Sequence, residues 1–158
     1  MASAWAAIVA RIVAKMNEVP NIGLVHDSTR LAMSEQDFLG WARVDIGGDA
    51  RIRTWMVTME DVPEVSWATL DGMVDWTRRA SIKGLFQVED AQGSESTAMA
   101  LAEAVCAKLD TDLAATRLAG TVSFGGPCRI IHNEPRLFSF VLAHYIEIEL
   151  ALKTTDQR

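Results

Sequence analysis

The chain reads as an α+β domain: two main helices packed on one face of a mostly antiparallel β-sheet, with a long β-hairpin connection. Three patterns predict this. Trp5, Ile8, Val9, Ile12, Val13 and Met16 recur at helical spacing, and Ala98, Leu101, Ala102, Val105, Cys106 and Leu109 do so again later. From Phe138 to Leu152 every even position is apolar except His144, the alternation of a half-buried antiparallel strand. At strand rise that stretch spans roughly 50 Å if straight, whereas either helix covers only about 22 Å. One helix cannot shield such a face. The strand must bend, lie under both helices, or be covered by a neighbouring copy.

In chain order, the first helix is predicted from about Ser3 to Asn17, with Arg11 and Lys15 off its apolar stripe and with Pro20 and Gly23 closing it. Leu24 to His26 is a short extended segment. Ser34 and Asp37 form a capping pair, and Phe38, Leu39 and Trp41 make a helical turn or two. Gly47-Gly48-Asp49 is a turn, followed by a strand over Arg51–Met59, which is rich in β-formers. Glu60 to Asp75 mixes Pro63, Gly72 and several acids with Val65, Trp67, Leu70 and Met73, and reads as the long hairpin connection with an apolar tip. A strand from Trp76 to Val88 puts Ala80, Ile82, Gly84, Phe86 and Val88 on one face and Arg79, Ser81, Lys83 and Gln87 on the other. Only Leu85 breaks the alternation, so one face is expected to be buried and the other wet. After the Glu89–Gly93 loop, Ser94 caps a helix over Glu95–Leu109, with Glu95 suited to the helix dipole. Thr121–Phe124 and Cys128–Asn133 are short strands around Gly125-Gly126-Pro127. Residues 1–152 make a single domain, and Lys153–Arg158 a polar tail that leaves it.

Composition narrows the function. With 49% apolar and 23% charged residues the chain can bury a core without disulfide or metal staples. Its 21 acidic against 15 basic residues, a net charge of -6, exclude a clamp on nucleic acid, which needs Lys and Arg on phosphates. An acidic surface still suits a protein past which DNA must slide. The amino-terminal MASAWAAIVARIVAKM lacks a basic leader and is interrupted by Arg11 and Lys15, so it reads neither as a signal peptide nor as a membrane span. A soluble, intracellular protein is expected. Cys106 and Cys128 have no zinc-ligand spacing and read as buried free thiols.

Catalytic signals are weak. His26, His132 and His144 share no metal-ligand spacing. His144 falls in the apolar register of the last strand and reads as a core histidine. There is no Gly-x-Ser-x-Gly, and no Lys-Ser/Thr follows Gly47-Gly48 or Gly125-Gly126 as a phosphate loop requires. The expectation is a protein without enzymatic activity, cofactor or metal. The unusual feature is tryptophan: Trp5, Trp41, Trp55, Trp67 and Trp76. Trp67 sits in the long connection, which either folds back on its own sheet or presents an adhesive tip to a partner, as Trp anchors interfaces. Candidate interface residues are therefore Asp61, Glu64, Trp67, Leu70 and Met73 on the connection, with Glu147 and Glu149 on the polar face of the last strand.

Several segments resemble the tail-terminator (tail-completion) proteins of tailed bacteriophages. Ile82-Lys83-Gly84-Leu85-Phe86, Glu89-Asp90 and Gly93-Ser94-Glu95 look like that family's strand, acidic turn and helix start. Val141-Leu142-Ala143-His144-Tyr145-Ile146-Glu147-Ile148-Glu149-Leu150 resembles its last strand, and Val19-Pro20 with Gly23-Leu24-Val25 fits the segment after its first helix. The 60–76 stretch departs from the family. The resemblance implies a homo-oligomer, a hexameric ring at the head-proximal end of the tail tube. Such a ring ends tube polymerisation and meets the tube protein on one side and the head connector or stopper on the other, while DNA passes through the lumen without specific binding. The implied location is the virion, after assembly in the host cytoplasm. Other readings are a different neck or head-completion ring, a small-ligand-binding α+β domain with His144 in its pocket, and an interaction module using the Trp67 loop.

Overall fold

The computed structural model describes residues 4–59, 64–68, 73–89, 93–115, 121–124, 127–138 and 141–157. In chain order the elements are α1 (Ala4–Met16), β1 (Leu24–His26), α2 (Glu35–Ala42), β2 (Arg43–Ile46), β3 (Asp49–Met59), β4 (Glu64–Ala68), β5 (Met73–Gln87), α3 (Ser94–Ala115), β6 (Thr121–Phe124), β7 (Arg129–Phe138) and β8 (Val141–Gln157). The strands form a mixed, mostly antiparallel sheet in an α+β fold.

The centre of the sheet is the antiparallel ladder of β5 and β8, continuous from Met73↔Gln157 to Gln87↔Ala143. Each long strand is flanked by two shorter ones. β3 covers the second half of β5 and β4 the first half. β7 runs along β8 from Val141 to Glu149, and β6 along Leu152 to Thr154. β1 pairs parallel and β2 antiparallel with β3.

Strand periodicity sorts the core onto the two faces. One face gives Trp55 and Val57 of β3, Ala80, Ile82 and Phe86 of β5, and Ile146, Ile148, Leu150 and Leu152 of β8 to a buried cluster. Ile8, Ile12 and Met16 of α1 and Ala98, Ala102, Val105 and Leu109 of α3 fill the same cluster. Fully burying one such aliphatic side chain contributes about 1.5–3 kcal/mol. Trp55 anchors this face. Its indole N–H donates to the Ile22 carbonyl at 3.0 Å, and its ring meets Phe86 edge-on at 5.1 Å. Gly84 lies beneath that indole, where a Cβ would come within 2.7 Å of the ring. Only glycine lets the strand pass so close.

The opposite face differs from its predicted wet character. α2 caps as expected, with the Ser34 hydroxyl accepting the Asp37 N–H at 3.1 Å and Glu35 and Asp37 in the first turn. It then buries Phe38 and Ala42 against Ile52, Met56, Leu85 and Tyr145, a second core on that side. Leu85, the residue that broke the alternation, is the β5 member of this core. The apparent irregularity marks a third helix over the other face.

Other boundaries differ from the sequence reading. The stretch read as a long hairpin connection holds β4, which pairs with Val74–Thr77, and the start of β5, three residues earlier than predicted. α3 continues to Ala115 rather than ending at Leu109. Phe138 belongs to β7 and pairs with Val141 of β8. Lys153–Gln157 do not leave the sheet but pair with Met73–Thr77 as the end of β8. The polar tail is held there by a partner strand, which sequence pattern alone does not reveal.

Gly84→Ala is expected to lower unfolding free energy by about 1–3 kcal/mol through overpacking against Trp55, read as a fall in the urea midpoint at constant slope.

Candidate functional site

Beside the α2 core, the second sheet face carries polar groups in facing register. Lys83 lies opposite Glu147, Leu85 opposite Tyr145, and His132 opposite Glu147 on the β7 side. Glu147 is only 7% exposed. Its two carboxylate oxygens are divided between partners: Ser81 Oγ donates to Oε1 at 2.7 Å, and Tyr145 OH donates to Oε2 at 2.7 Å. Lys83 Nζ stands 3.9 Å from Oε1. Burial alone would raise the Glu147 carboxyl, but the Ser81 and Tyr145 hydrogen bonds, with Lys83 and His132 nearby, hold it below its ordinary value. Burial, and then the neighbouring carboxylate, push the Tyr145 phenol well above its usual range. Arg136 lies over the Tyr145 ring, 3.9 Å from its centroid, and pairs with Glu134. Glu149, next on this face, is paired with Arg129.

The cluster closes on itself. The Glu147 carboxylate donates nothing and its accepting oxygens are engaged, so the arrangement pins β5 to β8 and presents no acid or base to solvent. Glu147 and Glu149, expected as surface acids of an interface, are occupied within the chain. The i, i+2 spacing of Tyr145 and Glu147 was visible in sequence, but the burial that makes it a lock depends on β7 and α2.

The histidines are dispersed. His26 Nε2 is 2.9 Å from the Trp41 carbonyl, with the two rings edge to face at 5.9 Å. His132 lies in β7. His144, 8% exposed, meets the Ser94 hydroxyl at 2.9 Å through Nε2. That hydroxyl also accepts the Glu89 N–H at 2.8 Å. Ser94, predicted as a helix cap, instead ties the β5–α3 loop to β8. A cavity of about 80 Å³ adjoins it, lined by Arg51, Arg53, Gln87, Glu89 and Thr97 among others. That volume is well below the roughly 300 Å³ of a typical ligand pocket. Among the described residues no group of three His, Cys, Asp or Glu side chains is placed to hold a metal.

Of the connection candidates, Glu64 and Trp67 lie in β4, opposite Thr77 and Asp75, and Met73 opens β5 opposite Gln157. Asp61 and Leu70 lie outside the described residues. Among the side chains that are described, the most exposed large apolar ones fall in two other places. Leu31 (85%) and Met33 (95%) stand on the irregular segment before α2, and Leu137 (68%) and Leu142 (51%) form a cross-strand pair in the β7–β8 hairpin. Leu142 shares the sheet face of His144 but lies two residues further toward the hairpin end, past the Ser94 contact at the start of α3. Phe138 and Val141, on the other side of the same hairpin, pack against the α2 core, with Phe138 stacked on Phe38 at 6.5 Å. Among the described residues β7 pairs only with β8, leaving its outer edge open. A bulge between Ile130 and His132, together with Pro135, interrupts that edge. The sequence reading took Leu142 as core because it follows the even register. The register is right, but the helix cover stops short of it.

No described protein family matches the chain, and no curated protein matches it.

Glu147→Gln is expected to cost about 1–3 kcal/mol at neutral pH, the loss of a charged acceptor from two buried hydroxyls. Because the folded carboxyl sits below its ordinary 4.5, the wild-type advantage is complete above that pH and is lost as pH falls through the folded value. The difference between the urea midpoints of the two proteins should therefore be largest at pH 7 and shrink progressively as the pH is lowered below 4.5. His144→Ala is expected to lower stability by about 1–3 kcal/mol through loss of the Ser94 bond and of packing. Thermal melting checks it, and a stoichiometric metal bound by wild type and lost in the variant would contradict a purely structural role.

Proposed function

We propose that the chain is a structural ring protein of a bacteriophage tail. It acts at the head-proximal end of the tube, where copies of it end tube growth and join the head connector. The observation that carries the assembly part of this reading is the β7–β8 hairpin. It exposes the Leu137–Leu142 pair beside β7, whose outer edge has no partner strand among the described residues. Water-exposed apolar pairs of this kind mark interaction surfaces. A contact between two different patches of identical chains closes into a ring when its rotation allows. Leu31 and Met33, before α2, are further exposed apolar side chains.

The phage assignment rests on the sequence resemblance, carried by Ile82–Phe86, Gly93-Ser94-Glu95 and Val141–Leu150. It implies a sixfold ring, with tube protein and connector as partners and DNA passing through the lumen. The net charge of -6 suits a channel that does not retain phosphate. A ligand-binding reading would need at least two polar groups converging on His144, and among the described residues Ser94 is the one hydrogen-bonded to it.

Light scattering across a concentration series should give a mass that is a closed multiple of the monomer, alone or with tube protein. The double variant L137D/L142D should fall to monomer with an unchanged circular dichroism spectrum. A wild-type protein that stays monomeric at every concentration and ignores tube protein overturns the proposal.

A further inference from the structure

The cavity of about 80 Å³ between β3 and α3 is lined by two guanidinium groups, Arg51 and Arg53, and by one carboxylate, Glu89, with Gln87 and Thr97 beside them. The arginines are two residues apart on β3 and so share a face. Arg51 Nη2 donates to Asp49 Oδ2 at 3.1 Å, and its Nη1 stands 3.5 Å from Glu89 Oε2. Its Nε is buried without an acceptor, and a buried donor left unmade costs free energy. Arg53 Nη1 donates to the Asn21 carbonyl at 2.9 Å. Gly23 lies over the Arg53 stem, where a Cβ would come within 2.8 Å of its Cγ. Among the described residues no carboxylate pairs with Arg53. Burial, and then the charge of Arg51, lower the Arg53 guanidinium from its ordinary value. Gln87 accepts the Ile52 N–H at 3.3 Å through its side-chain oxygen, which leaves its amide N–H groups as donors.

We propose that this cavity is a binding site for a phosphate group, either the free ion or the terminal group of a small monoester. Its size suits that ligand, since such a space holds a few water molecules or one small ion. Its chemistry suits it too. The lining is rich in N–H donors, and the planar fork of a guanidinium matches the oxygens of phosphate. Both arginines are fixed before an ion arrives, Arg51 by Asp49 and Arg53 by the Asn21 carbonyl and Gly23. Binding therefore costs little further ordering of side chains. The ion gives the buried Arg51 Nε an acceptor and offsets the repulsion between the two guanidinium groups. No covalent bond is made or broken. A bound phosphate would tie Arg51 and Arg53 of β3 to Gln87 of β5 and Thr97 of α3, the elements that meet at the cavity. This site stands apart from the Leu137–Leu142 surface and holds whether or not the chain forms a ring.

The test melts the full chain at fixed ionic strength while inorganic phosphate replaces chloride. The expected result is a rise in melting temperature of several degrees that saturates in the millimolar range, as binding to the folded state requires. Arg53→Gln should lose the saturable rise, whereas Arg129→Gln, an arginine of β7 outside the cavity, should keep it. Phosphate also stabilises folded proteins generally by exclusion from their surface, an effect that does not saturate and is common to all variants. In nitrogen-15-labelled wild type, phosphate should shift the Nε–H resonances of Arg51 and Arg53 with the same half-saturation and leave that of Arg129 in place. This measurement decides if Arg53→Gln fails to fold by circular dichroism. Glycerol phosphate separates the two sources: binding tighter than that of inorganic phosphate assigns the ester, and weaker binding the free ion. A rise that never saturates, a saturable rise that survives in Arg53→Gln, or resonances of Arg51 and Arg53 that do not move would each overturn the proposal.

Discussion

The β5–β8 ladder is the constraint on which the other elements depend. Two long strands paired from Met73↔Gln157 to Gln87↔Ala143 make a ribbon longer than any other element in the chain. No single flanking strand or helix can cover it. The fold divides the work, with β3 and β4 sharing one edge and β7 and β6 the other. Above and below, α1 and α3 share the main core while α2 closes part of the opposite face. Where α2 gives out, the ribbon fills its centre with a hydrogen-bonded carboxylate in place of apolar side chains. Ser81 from one strand and Tyr145 from the other meet on Glu147. A one-residue slip of the ladder would move Glu147 to the helix-covered face and orphan both hydroxyls, so the cluster specifies register as well as adding stability.

Much of this was readable in the sequence wherever apolar periodicity was strong. The α1 stripe, the Ser34–Asp37 cap and the alternating runs around Ile82 and Ile148 all sit where their spacing puts them. What escaped was whatever depends on a distant partner. β4 and the polar far end of β8 become strands because β5 offers them an edge. Leu85 looked like noise in an alternating strand until α2 supplied the surface it packs on. Ser94 looked like a cap because the residue type and position fit one. His144, fifty positions away, takes its hydroxyl instead.

The same distinction explains the interface candidates. Glu147 and Glu149 were chosen because they share the polar register of an alternating strand, a rule that assumes water on that face. Neighbouring strands supply Ser81, which meets the buried Glu147, and Arg129, which pairs with the partly buried Glu149. The exposed apolar residues run the other way. Leu137 and Leu142 obey core register, yet they extend past the start of α3. Periodicity tells which way a side chain points. It does not tell whether anything stands there.

The ladder also sets the order in which this chain can fold. β7 and β8 are close in sequence and can pair locally, as can β2 with β3. The central pairing is different, because every partner of β5 on β8 lies on the far side of α3, β6 and β7. Its loop-closure entropy must be met before its side chains gain contact, so the chain belongs among slow, topology-limited folders. Until β8 is synthesised, Ala80, Ile82 and Phe86 lack their ladder partners Leu150, Ile148 and His144, and an unpaired, partly apolar β5 edge is exposed. During that interval the nascent chain is at its most vulnerable to misassociation, and holding β5 unpaired would be the useful work of a chaperone.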